Sequence, residues 1–438
     1  MPPSKQARRV IQVNKRVMGP REPKERAVRV KHFADYPHVP AAYLDLAKRI
    51  SSPLLAGPPI CDELIEFVRH TFTEEEAGSA RWLGAIRGKS AARVAKAEHR
   101  PADVIESILE RLVSKKRVIA GLGEGTRRRY RLMPVMPGMF EMALIGESPE
   151  SLTDWHRRFA ELVEALFETG YLTDYQEAGA PAIRFMPVAP VLASHPAALP
   201  SDRLEVVLDR YDTFGVGHCQ CRMSRLVADR GCGRPLEVCT VMGQWAERGI
   251  HDGWLRRVSQ ANVLEIKREA ESHGLVTWIM NVESSQGQAS CSCCGCCCKA
   301  MRAVNEFSSP GIMAPPHFMP KFDVDRCSRC GHCAQDCPMG AITVDISKQI
   351  LQSPAPSTQI SPHPSDRGGG EQGALPLVNH EPARCIGCGL CALACNKQQA
   401  ITMQPVPDYR LPYKSWLAML LHRVPSLMKT YWKVQQGR

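Results

Sequence analysis

The chain has 438 residues, a net charge of +11 and 19 cysteines, enough length for two or three domains. No run of about 18 apolar residues exists, which excludes a predicted spanning helix. The start, Met1-Pro-Pro-Ser-Lys-Gln, leads into charge rather than an apolar export segment, so the cysteines read as metal ligands in the cytoplasm rather than a disulfide framework.

Residues 1–58 form a basic arm: residues 1–31 hold ten Lys or Arg against Glu22 and Glu25. Such an excess suits acidic partners, namely an acidic redox protein, a membrane surface or nucleic acid. A short helix is predicted at 41–50. Residues 59–135 are more regular. Helices are predicted at 62–70, after Thr73, at 90–97 and at 101–113, the last with Val104, Ile105, Ile108, Leu109, Leu112 and Val113 on one face. Arg117-Val-Ile-Ala, a glycine-rich turn and Arg129-Tyr-Arg-Leu read as a β-hairpin. Three helices and a hairpin resemble a winged helix. That resemblance implies phosphate contacts through the third helix and Arg127, Arg128 and Arg129, or a protein-docking module. Cys61 sits in an apolar helical setting and reads as core.

Residues 136–213 read as a helical connector, with amphipathic helices at 152–172 and 202–211. Residues 214–312 carry ten cysteines. Cys219, Cys221, Cys232 and Cys239 lie within 21 residues, enough for one cluster or one zinc ion. Cys291, Cys293, Cys294, Cys296, Cys297 and Cys298 follow. If that segment were helical, Cys293, Cys294, Cys297 and Cys298 would gather on one side. Between the groups, 258–273 reads as a helix and 275–282 as a strand. Arg222 and Arg225 would offset thiolate charge. His218, His251 and His273 are optional ligands. The field is expected to bind metal, as one or two extra [4Fe–4S] centres, an unusual cluster or zinc. The Cys-x-Cys-Arg element, the later cysteine pair and the Cys-Cys-x-Cys-Cys-Cys run ahead of further cysteines resemble a class of cysteine-rich bacterial and archaeal iron–sulfur redox proteins.

Residues 313–405 hold two runs of the form C-x2-C-x2-C-x3-C: Cys327, Cys330, Cys333 and Cys337, then Cys385, Cys388, Cys391 and Cys395. Paired zinc knuckles lack the third and fourth cysteine at these spacings, so the runs favour iron–sulfur over zinc. They resemble bacterial two-cluster ferredoxins. The resemblance implies one [4Fe–4S] cluster on Cys327, Cys330, Cys333 and Cys395, and a second on Cys385, Cys388, Cys391 and Cys337. Gly331 and Gly389 are expected where close approach to a cluster disfavours a Cβ. Two departures are Asn396, where a second proline is usual, and a Ser-, Pro- and Gly-rich link at 345–382, read as a flexible insertion. Residues 406–438 form a basic amphipathic extension, expected to break at Pro425 and to lie on a membrane surface or a partner.

The expected fold is α+β and multidomain: a winged-helix-like front, a cysteine-rich redox domain and a ferredoxin-like domain. The expected function is electron transfer through two [4Fe–4S] clusters, and further centres, to or from a partner oxidoreductase. No flavin or nicotinamide fingerprint is present. The alternatives are a redox-sensing transcription regulator that binds nucleic acid, and an oxidoreductase whose active site is the cysteine-rich cluster.

Overall fold

The computed structural model describes residues 11–13, 16–18, 23–175, 181–284, 286–309, 313–344 and 378–435. Most of the basic arm before residue 23, and residues 345–377 of the expected insertion, lie outside them. The fold mixes helix and antiparallel sheet. The chain divides into two compact units: residues 1–22, 187–197 and 316–409 form one, and residues 23–186, 198–315 and 410–438 the other.

The larger unit begins with helices Ala41–Ile50, Asp62–Thr71, Glu74–Ala80, Ala91–Glu98 and Ala102–Ser114. Thr73 sets the third of these through a capping box: Thr73 Oγ1 accepts from Glu76 N at 3.2 Å, and Thr73 N donates to the Glu76 carboxylate at 2.9 Å. The apolar faces bury Leu64, Phe67, Ile105, Leu109 and Leu112 in one core with Phe159, Leu166 and Phe167 of helix Asp154–Glu168. The hairpin pairs Ile119–Leu122 with Arg129–Leu132.

A six-stranded antiparallel sheet follows in the same unit. Its order is Ile183–Phe185, Val276–Met280, Gly287–Cys293, Cys239–Gly243, Phe214–Gly217, Arg256–Val258. Helix Gln260–Ser272 lies on it and buries Val263 with Val216, Met242 and Ile279. The helix expected at 202–211 shortens to Leu204–Leu208, because Leu199 N donates to the Asp202 carboxylate at 2.8 Å and closes a 3-10 turn first. Pro425 does not break the C-terminal helix, which runs from Trp416 to Gln435. A proline removes one helical N–H, and a helix this long keeps its bonds on both sides.

The cysteine-dense segment is not helical. Residues 287–293 form a strand whose Cys291 and Cys293 face Trp278 and Val276 in register. A turn follows, and helix Lys299–Phe307 starts with Cys298 as its N-cap. The β-rich stretch Val276–Met280 supplies the partner edge that draws residues 287–293 into the sheet.

In the smaller unit, Phe318–Phe322 pairs with Ile401–Pro405, and Ile342–Val344 with Val378–His380. Short helices His332–Gln335 and Leu390–Ala394 start from Gly331 and Gly389, at φ +80° and +79°. This left-handed backbone is itself enough to favour glycine at both positions.

Candidate metal centres

Two cavities in the smaller unit are lined by cysteine. Cys327, Cys330, Cys333 and Cys395 line one, closed by Phe322, Val344 and Ile401. Cys337, Cys385, Cys388 and Cys391 line the other, closed by Ile342, Ile386 and Met403. Each takes three cysteines from one run and the fourth from the other. Backbone N–H groups reach two of the sulfurs: Ala341 N lies 3.3 Å from Cys337 Sγ, and Gly387 N 3.4 Å from Cys385 Sγ. Such donors tune a bound cluster. Burial pushes the Cys333 and Cys385 thiols up to about 12, and raises Cys337, Cys388 and Cys391 as well. Thiols held this dry keep their protons unless a metal replaces them. The donor set therefore fits iron–sulfur clusters, which would supply one-electron redox chemistry here.

The ten cysteines of the larger unit gather differently from either sequence grouping. The Sγ atoms of Cys232, Cys294, Cys296 and Cys297 all lie within 4.8 Å of one another. The other six form a chain of sulfur contacts: Cys219 to Cys239, Cys239 to Cys291 at 3.7 Å, Cys291 to Cys293, Cys293 to Cys298, and Cys298 to Cys221. Sheet register explains the second group. Ser290 pairs with Thr240, which sets Cys291 beside Cys239, and alternate residues of a strand share a face. Cys219 and Cys221 come from the start of helix Gln220–Val227, and Cys298 returns after the turn.

Two cations are buried among these thiols, each 2% exposed. Arg222 Nη1 donates to Ser292 O at 2.9 Å and lies 4.0 Å from Cys294 Sγ, while its Nε and Nη2 have no hydrogen-bond partner among the described residues. Lys267 donates to Val238 O, Ser290 O and Ser292 Oγ at 3.1–3.3 Å. Burial disfavours both charges; Cys219, Cys239, Cys294 and Cys293 outweigh it at Arg222, whereas Lys267 stays below its ordinary range. A buried cation is costly without an anion nearby. Metal-bound thiolates are such anions, so the pair of cations fits a metal-bound field. Sequence reasoning missed Lys267. Its signal was the spacing Val263, Lys267, Ala270 on the face that packs against the sheet.

The other predicted residues separate. Arg225 pairs with Glu164 at 3.4 Å instead of a thiol. The single tight donor group among the described residues contains no histidine, so His218, His251 and His273 stand outside it. Cys61 is fully buried in the helical core, and burial pushes its thiol up to about 12. Of the hairpin arginines, Arg128 holds Glu110 through Nε at 2.7 Å and Nη2 at 2.9 Å, and Arg129 donates to the carbonyls of Thr126 and Arg128. Of these three, Arg127 is exposed and makes no such hydrogen bond among the described residues.

A family model described as a 4Fe-4S dicluster domain matches residues 326–401. The chain therefore carries an iron–sulfur electron-transfer domain and, earlier in the sequence, a cysteine-rich region. A pyruvate-flavodoxin oxidoreductase of Enterobacter agglomerans is 29% identical over 99 residues. The match covers 22% of this chain, and the chain spans 8% of that curated relative's length. No solved structure matches the chain. No helix among the described residues is long and apolar enough to cross a membrane.

Proposed function

We propose that the chain is an electron carrier that takes electrons through two [4Fe–4S] clusters, and through further centres in the ten-cysteine field, to or from a partner oxidoreductase. The observation that carries this reading is the pair of four-cysteine cavities. Cys327, Cys330, Cys333 and Cys395 would hold one cluster, and Cys337, Cys385, Cys388 and Cys391 the other. The chain's own contribution is to bury Cys333 at the first site and Cys388 and Cys391 at the second, and to aim the Ala341 and Gly387 N–H groups at sulfur in the second. In this reading residues 313–405 are the carrier domain, 214–312 a second redox domain, and 59–135 a docking module. Similarity to a stretch of an oxidoreductase supports a partner of that class. The C-terminal helix leaves Leu417 and Leu421 exposed, a face suited to a membrane surface.

The test is iron and acid-labile sulfide on the full chain purified without oxygen, with electron paramagnetic resonance after reduction. The expected result is at least about eight of each, falling by about four of each in Cys333→Ser. Almost no iron, with zinc in its place, overturns the reading.

A further inference from the structure

We propose that Cys232, Cys294, Cys296 and Cys297 hold a single tetrahedral metal ion, separate from any iron–sulfur cluster. The argument is one of spacing. Four thiolates around one ion, with metal–sulfur bonds of about 2.3 Å, place their sulfurs about 3.8 Å apart. Cys296 and Cys297 Sγ lie 3.7 Å apart, and all four sulfurs fall within 4.8 Å of one another. A cubane spreads its ligands wider, because each thiolate binds a different iron. The ferredoxin-like cysteines show that wider spread: among the described residues, no other group of three or more His, Cys, Asp or Glu comes this close together. The six-sulfur chain beside the site also lacks any such group. It is built for a polynuclear centre or none, whereas the four-sulfur site is sized for one ion.

The donor set narrows the ion. Four sulfurs, with no carboxylate, select zinc or iron over magnesium or calcium. Binding exchanges protons for metal: four S–H bonds break, four metal–sulfur bonds form, up to four protons leave, and no electron moves. A divalent ion then leaves two negative charges on the site. Arg234 Nη1 lies 3.7 Å from Cys296 Sγ and Arg222 Nη1 4.0 Å from Cys294 Sγ, which places two cations against that charge.

The ion would act as a staple. Cys232 lies in residues 228–238, which contain no helix or strand. The other three ligands lie in the turn between strand Gly287–Cys293 and helix Lys299–Phe307. That turn also spaces Cys291 and Cys293 from Cys298 in the six-sulfur chain. Closing it with a metal fixes the wall of the neighbouring site.

The experiment is metal and sulfide analysis of the full chain, purified without oxygen, as wild type and as Cys232→Ser, with X-ray absorption at the zinc and iron edges. The expected result is loss of one metal per chain in the variant with sulfide unchanged, and in wild type a metal in an all-sulfur shell at about 2.3 Å. Zinc in that shell meets the proposal directly; iron, which the [4Fe–4S] clusters would also place among sulfurs, meets it only as the one iron lost in Cys232→Ser with sulfide unchanged. Loss of iron and sulfide together, about four of each, would mean a cubane there and overturn it. Loss of no metal would also overturn it. If Cys232→Ser does not fold, Cys296→Ser at the exposed ligand gives the same comparison. The iron, sulfide and resonance of the 326–401 domain are read independently, so failure here leaves the electron-carrier reading separately tested.

Discussion

Arg302 Nη1 lies 2.7 Å from Glu164 Oε1, with the arginine side chain only 3% exposed. Lys299, 7% exposed, pairs with the same carboxylate. Both cations belong to the helix that follows Cys298, so Glu164 ties the cysteine field to helix Asp154–Glu168. Burial raises the Glu164 carboxyl, but Lys299 and Arg302 outweigh it and hold the group at about 2. A depressed carboxyl contributes stability above its ordinary pKa near 4.5 and loses it as pH falls toward 2. Glu164→Gln leaves two buried cations short of a partner, although Arg302 keeps Glu168 and Glu306. The expected cost at pH 7 is about 3 kcal/mol. Thermal unfolding at pH 7, 4.5 and 3 should show the gap to wild type closing below 4.5. A gap that is equal at all three would refute the electrostatic account.

Arg222 offers a prediction about potential rather than stability. Its guanidinium is buried beside Cys219, Cys239, Cys293 and Cys294 and is only partly hydrogen-bonded. A reduced centre carries one more negative charge than an oxidised one, so the cation favours reduction. Arg222→Met should lower the midpoint potential of a centre in the larger unit by roughly 60 mV or more, a tenfold change for one electron. Signals from the 326–401 domain should stay put in the same redox titration. A variant whose signals all keep their potentials would show that no redox centre feels Arg222.

Gly387 tests the second ferredoxin-like site. Its φ is +66°, and an added Cβ would stand 2.3 Å from Phe318 O and 2.5 Å from Pro316 Cβ. The backbone alone costs an L-residue about 1–2 kcal/mol, and the carbonyl cannot retreat without moving strand Phe318–Phe322. Gly387→Ala should therefore lose about half the iron and sulfide of the domain. Gly125→Ala is the control: its φ is +51°, but nothing lies within 4 Å of the new Cβ. Full iron in both variants would show that the backbone at Gly387 yields easily.

These residues also show where a sequence can be read and where it stops. The ferredoxin-like runs are local patterns: the first three cysteines of a run line one cavity, and the fourth lines the cavity of the other run. The helix faces around Leu64, Ile105 and Phe159 repeat at 3.6 residues and were legible for the same reason. The gathering of ten cysteines into a four-sulfur group and a six-sulfur chain was not. It depends on the pairing of Ser290 with Thr240, fifty residues apart, which no local pattern encodes. Lys267 lay at a readable helical spacing, but a lysine there looks like an exposed one until the sheet covers it. Pro425 marks the opposite error, a local rule outweighed by the length of the helix around it.

The hairpin arginines differ in how free they are to meet a nucleic acid. Arg128 is committed to Glu110, whose Oε1 also accepts from Tyr130 Oη at 2.6 Å. Arg128→Ala removes a two-pronged charged contact and should cost about 2 kcal/mol in thermal or denaturant unfolding. Arg127 is exposed, and Arg127→Ala should change stability by no more than about 0.5 kcal/mol. Among the three hairpin arginines, Arg127 is the one to test for a phosphate contact, because Arg128 is held by Glu110 and Arg129 Nη1 donates to the hairpin's own carbonyls. A regulator would then bind a preferred DNA sequence differently when oxidised and when reduced, and would lose affinity in Arg127→Ala. The electron-carrier reading expects neither: weak, salt-sensitive binding without sequence preference, equal in both redox states and nearly unchanged in the variant. Mobility shifts of the full chain in both redox states decide between them. Sequence-specific binding that is lost in Arg127→Ala would make the hairpin a DNA contact and restore the sensor reading.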